Sequence, residues 1–135
     1  MKNVLRLTTL ALVLVMMLSC LASCFGGPNA DPEKAEEALE DAGYEVSVDS
    51  KLAPAAYKAM GVDGVDCVLS AINLDEDEEG ILFVVYFDEA ADAKEAFEDI
   101  KKDAEEEMED EEDFVCKRSG KMIYYGTKNA VKAAK

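Results

Sequence analysis

Seven consecutive residues, Ile81-Leu82-Phe83-Val84-Val85-Tyr86-Phe87, are apolar or aromatic, and Gly80 and Asp88 bound them. A strand with one wet face alternates polar and apolar residues. This one does not alternate, so it predicts a strand in the middle of a sheet, covered on both faces. The rest of the chain has to supply the neighbouring strands and the covering helices. Residues 44–49 alternate with period two, and residues 65–74 form a second apolar-rich run, so both read as strands. Residues 114–118 and 121–125 read as a hairpin around Ser119-Gly120, with Gly126 expected to break its second strand.

Helical spacing fills the gaps. Asp31-Pro32 starts a helix whose apolar stripe is Ala35, Ala38, Leu39 and Ala42, and Gly43 supplies a left-handed C-terminal cap. Residues 54–60 read as a short helix ended by Gly61, followed by the turn signal Asp63-Gly64. The longest helix is expected to be capped by Asp88, with Ala93, Ala96, Phe97, Ile100 and Ala104 facing the core. A last short helix follows Thr127, with Ala130, Val131 and Ala134 inward. The order strand, loop, strand, helix occurs at 65–108 and again at 114–135. It is compatible with a degenerate repeat, but little residue identity supports one. The expectation is a single small α+β domain over residues 31–135: an antiparallel sheet of about five strands with helices packed mainly on one face.

Charge narrows the functions open to such a domain. The 135 residues carry 14 Lys+Arg against 30 Asp+Glu, a net charge of −16. Without Lys2 and Arg6 the count is 12 against the same 30, so residues 24–135 carry about −18. That surface repels phosphate, which excludes a nucleic-acid partner. It is also repelled by anionic headgroups. The chain has no histidine, which removes Ser-His and Cys-His catalysis, imidazole metal sites and histidine pH switching.

The first 24 residues carry the one resemblance. Lys2 and Arg6 precede a mostly apolar run over residues 7–18. That run is too short for a spanning helix and suits a signal h-region. Leu21-Ala22-Ser23-Cys24 follows, while Met17-Leu18-Ser19 before Cys20 fits the same pattern less well. Residues 1–24 resemble the signal peptide and lipobox of bacterial lipoproteins. The resemblance implies removal of residues 1–23, lipid on the Cys24 thiol, residues 24–30 as a short tether, and a domain held at the extracytoplasmic face of the cell membrane. Two or more acyl chains anchor stably where one does not, at about 0.8 kcal/mol per buried CH₂.

The remaining motifs carry little chemistry. Asp75-x-Asp77-x-Glu79-Gly80 starts like a calcium loop, but Tyr86 stands where the bidentate glutamate belongs, so it reads as a solvated hairpin loop. Residues 103–113 hold nine acids among eleven. Acids near a helix C-terminus oppose its dipole, so the long helix is expected to fray near Met108. The run itself reads as a solvated face or a loose cation site. Residues 114–135 hold six cations and no acid. These cations either pair internally or face an anionic membrane or cell-wall polymer. Cys67 and Cys116 are an even pair outside the cytoplasm and are compatible with a disulfide or with two buried thiols. Tyr44, Tyr57, Tyr86, Tyr124 and Tyr125 serve either as sugar-stacking surfaces or as sheet-margin residues. No catalytic, cofactor or metal motif emerges. The expectation is a non-enzymatic, lipid-anchored binding or sensing module, or else an accessory subunit of an envelope complex. A concave pocket lined by tyrosines and acids favours the first, and a flat apolar patch the second.

Overall fold

The structure, a computed structural model, describes residues 27–75, 79–109 and 113–135. Nine elements follow in order: α1 (Pro32–Asp41), β1 (Glu45–Asp49), α2 (Leu52–Ala59), β2 (Val65–Asn73), β3 (Gly80–Phe87), α3 (Ala90–Glu107), β4 (Phe114–Ser119), β5 (Met122–Thr127) and α4 (Lys128–Ala133). The strands form one sheet in the order β1-β2-β3-β5-β4, with every neighbouring pair antiparallel. The apolar run is β3, and it is central as expected. The α+β class and the five-stranded antiparallel sheet hold.

The helices, expected mainly on one face, divide between both. Leu82, Val84 and Tyr86 of β3 join Cys67, Leu69, Met122 and Tyr124 beneath α1 and α4. Val85 and Phe87 join Val68 and Ile123 beneath α2 and α3. Burial on both sides is what an unalternating strand demands, because each parity needs its own cover. The two ββα stretches therefore send their helices to opposite faces, α3 to one and α4 to the other, which the repeat reading did not anticipate.

Local chemistry explains most boundaries. The Asp31 carboxylate accepts from the Glu33 N–H at 3.0 Å, and Pro32 occupies the first turn. Gly43 and Gly61 sit at φ +91° and +89° after α1 and α2. In each case the next residue's N–H reaches back to the helix: Tyr44 to the Leu39 carbonyl, Val62 to the Tyr57 carbonyl, both at 2.9 Å. The long helix ends at Glu107 with Met108 as its C-cap, where the acidic run was expected to fray it. Its start differs from expectation: Glu89, not Asp88, is the N-cap residue, and no side chain caps it. Thr127 does precede α4, but its hydroxyl is committed to β3, accepting from the Ile81 N–H at 3.2 Å.

Gly126 does not break its strand. It lies within β5, paired with Leu82 on β3 and Val115 on β4. A Cβ there would strike the Ile81 carbonyl oxygen and stand 2.9 Å from Leu82 Cα, so the absent side chain is what lets β5 close on β3.

Candidate functional site

The site is a cleft between α2 and α3, floored by β5. Asp49 ends β1 and starts α2: its Oδ1 accepts from the Lys51 and Leu52 N–H groups at 2.8 and 2.9 Å, and its Oδ2 from the Ala53 N–H at 3.1 Å. These backbone bonds, first those from Lys51 and Leu52, hold the Asp49 carboxyl below its ordinary range. Gly61 stops the helix after two turns. Between these two stops α2 presents Tyr57 to the sheet and leaves Met60 67% exposed at the rim. Across the gap, α3 lines the cleft with Ile100, Asp103, Ala104 and Glu107, at the i, i+3, i+4, i+7 spacing of one helix face, together with Glu106. Tyr125 rises from β5 to complete a volume of about 360 Å³.

The two tyrosines form one polar unit in this cleft. The Tyr57 and Tyr125 hydroxyls interact, a contact that lowers the Tyr57 pKa and raises that of Tyr125. Burial pushes the Tyr125 phenol well above its ordinary value, and the charges of Tyr57 and Glu107 add to it. Burial also raises Tyr57, with Glu107 and Asp103 pushing the same way. Both phenols are therefore neutral in a field of carboxylates. The Tyr125 ring is held from the side by Phe83, stacked at a centroid distance of 5.1 Å and an angle of 26°. Among the described residues no Lys or Arg lines the cleft.

The acids do not converge. Among the described residues no group of three or more carboxylates or thiols stands where it could hold a metal ion. The cleft thus offers negative charge at separate points beside the apolar side chains of Met60, Ile100 and Ala104. That geometry suits an extended cation better than a bare one.

On the same face, α2 and α3 leave one end of the sheet open. Glu45, Ser47, Ser70, Ile72, Ile81 and Phe83 border a shallow, mainly apolar concavity of about 410 Å³. Ile72 is 38% and nearby Leu74 76% exposed.

The sequence-derived candidates distribute as follows. Cys24 and the lipobox lie outside the described residues. Cys67 and Cys116 are both free. Cys67 sits on β2 in the core under α1 and α4, while Cys116 sits on β4 opposite Tyr125, on the other face. With β3 and β5 between them, the two strands are roughly 14 Å apart at the usual spacing. A disulfide needs Cα atoms within about 7 Å, so this fold does not allow the intramolecular bridge. Burial raises both thiols to about 11, with Asp66 adding at Cys67 and Lys101 partly opposing at Cys116. Neither is an activated nucleophile. Of the five tyrosines, Tyr44, Tyr86 and Tyr124 belong to the core under α1 and α4; Tyr57 and Tyr125 make the cleft. Their partnership was invisible in the sequence because they are distant along the chain. The one available signal, Tyr125 directly following inward-facing Tyr124, says only that a tyrosine points to each face.

Comparison with protein families, with curated proteins and with solved structures finds no match to this chain.

Proposed function

We propose that the chain is a lipid-anchored extracytoplasmic binding module, attached through Cys24, whose ligand site is the cleft between α2 and α3. The observation that carries this reading is the Tyr57–Tyr125 pair enclosed by Asp103, Glu106 and Glu107, with no basic residue among the described lining. The ligand class that fits is an organic cation with an apolar body. Ammonium groups lie favourably over tyrosine faces and near carboxylates, and the apolar part covers Met60, Ile100 and Ala104. A volume of about 360 Å³ is at the small end of ligand pockets. Catalysis is not part of the proposal.

The chain lacks tryptophan, so its emission comes from tyrosine, and two of its five tyrosines line the site. Tetramethylammonium, choline and benzylammonium are expected to perturb it, more weakly at high salt, while their neutral isosteres do not. Tyr125→Phe and Glu107→Gln are each expected to weaken binding by about tenfold, the effect of roughly 1.4 kcal/mol. Equal responses to charged and neutral probes, or none, overturn the assignment. For the anchor, Cys24→Ala is expected to release the protein or leave it as precursor. A Cys24→Ala protein that is processed and still membrane-bound refutes that part.

A second reading, an accessory subunit of an envelope complex, is favoured by the open sheet end at Ile72, Ile81 and Phe83. It predicts that Ile72→Asp abolishes co-purification with an envelope partner and leaves ammonium binding intact.

A further inference from the structure

The exit of the chain toward Cys24 is fixed against the domain. Pro28 is fully buried. The Asn29 N–H donates to the Ala134 carbonyl at 2.8 Å, and the Tyr86 hydroxyl donates to the Asn29 carbonyl at 2.9 Å. Gly27 lies so close to the Tyr124 ring that a Cβ there would stand 2.7 Å from Cε1. Gly27, Pro28 and Asn29 are thus packed against the folded body. Cys24 precedes Gly27 by three residues, a reach of at most about 10 Å.

One side of this exit is basic, while exposed Asp31, whose N–H donates to the Asn29 Oδ1 at 3.0 Å, and exposed Glu33 stand on its other side. Lys132 and Lys135, both exposed, flank Ala134 on α4 and the residues after it. Lys117, also exposed, stands opposite Tyr124 in the β4–β5 register. No acid occurs in residues 114–135. The neighbouring helix on the same face, α1, is acidic, with Glu33, Glu37, Glu40 and Asp41 exposed. The face as a whole is therefore not basic; only its α4–β5–β4 margin is.

We infer that this margin is a membrane-contact surface, where Lys117, Lys132 and Lys135 rest on anionic lipid headgroups while the chain is anchored at Cys24. The inference depends on the lipid-anchor reading. Charges act over about 8 Å at physiological ionic strength, a distance comparable to the reach of the anchor. Lys117, Lys132 and Lys135 on one side of the exit are therefore attracted while Asp31 and Glu33 on the other are repelled, which tilts the molecule onto its lysine margin and α1 away. The cleft, on the opposite face of the sheet, then opens away from the bilayer toward ligands in solution.

The test is lysine acylation, read by mass spectrometry on the full chain purified from membranes. The protein is reconstituted in vesicles of phosphatidylcholine alone or mixed with phosphatidylglycerol. On the mixed vesicles Lys117, Lys132 and Lys135 are expected to react several-fold more slowly than on phosphatidylcholine, while Lys58 and Lys94 on α2 and α3 do not change. High salt should remove the difference, and the exposed double variant Lys132→Glu/Lys135→Glu should remove it at Lys117. Rates that are uniform between the two vesicles, with diacylglycerol present on Cys24, overturn the contact surface alone. A Cys24 without lipid overturns the anchor and this inference together.

Discussion

Asp49 is a single carboxylate that joins three levels of the molecule. It closes β1, supplies the acceptors for the first turn of α2, and through that turn sets where Tyr57 stands. Its folded pKa is depressed by the backbone N–H groups of Lys51 and Leu52. The stabilisation it contributes is therefore present above the unfolded carboxylate value, near 3.9, and is lost as pH falls through the lower folded value. Asp49→Asn is expected to lower Tm at pH 7, and Asp49→Ala to lower it further. Both differences from wild type should shrink steadily below about pH 4. A gap that stays constant down to pH 2 would show that the carboxylate charge is not what matters. At the same scale, Cys67 and Cys116 are expected to remain thiols: intact mass should be unchanged by reductant, and both should react with iodoacetamide only after unfolding or at alkaline pH. A native species that loses two protons' mass on air oxidation, without unfolding, contradicts the placement of the two on opposite faces.

Elements were legible where their signal is local. The caps at Asp31 and Gly43, the end of α2 at Gly61, the inward stripe of α3 and its failure near Met108 all follow from side chains within a turn of the event they cause. The unalternating run 81–87 revealed the centre of the sheet for the same reason. Legibility ended where a residue answers to something far away in sequence. Gly126 looked like a strand breaker, yet its role is set by the Ile81 carbonyl opposite it. Thr127 looked like an ordinary helix cap, yet its hydroxyl bonds to β3. The choice of face for α3 and α4 is likewise absent from periodicity, because an amphipathic stripe says that a helix is covered but not by which side of the sheet. The site shares this limit: its acids were visible as a charge run, but not the tyrosine pair they surround. Gly126→Val is accordingly expected to cost about 1–3 kcal/mol, the range of overpacked interiors, seen as an earlier denaturation midpoint in urea. An unchanged midpoint would mean that β5 can move away from β3 without loss.

At the scale of the molecule, charge acts on stability and on binding with opposite sign. Residues 24–135 carry about −18, and folding brings these carboxylates closer than the unfolded chain does. Self-repulsion of this kind destabilises the compact state. It weakens as the Debye length falls from about 30 Å at 0.01 M to about 8 Å at 0.15 M. Added NaCl is therefore expected to raise Tm at pH 7, most steeply in the low-salt range. The proposed ammonium binding in the cleft and the proposed lysine contact with anionic vesicles would depend on attraction, so the same salt is expected to weaken both. A protein whose Tm rises with salt while its ammonium affinity falls fits a cleft that uses the field the fold tolerates. A Tm that is flat or falls with salt would mean that favourable ion pairs outweigh the repulsion. The six cations of residues 114–135 would then be engaged within the domain and not held ready for the membrane.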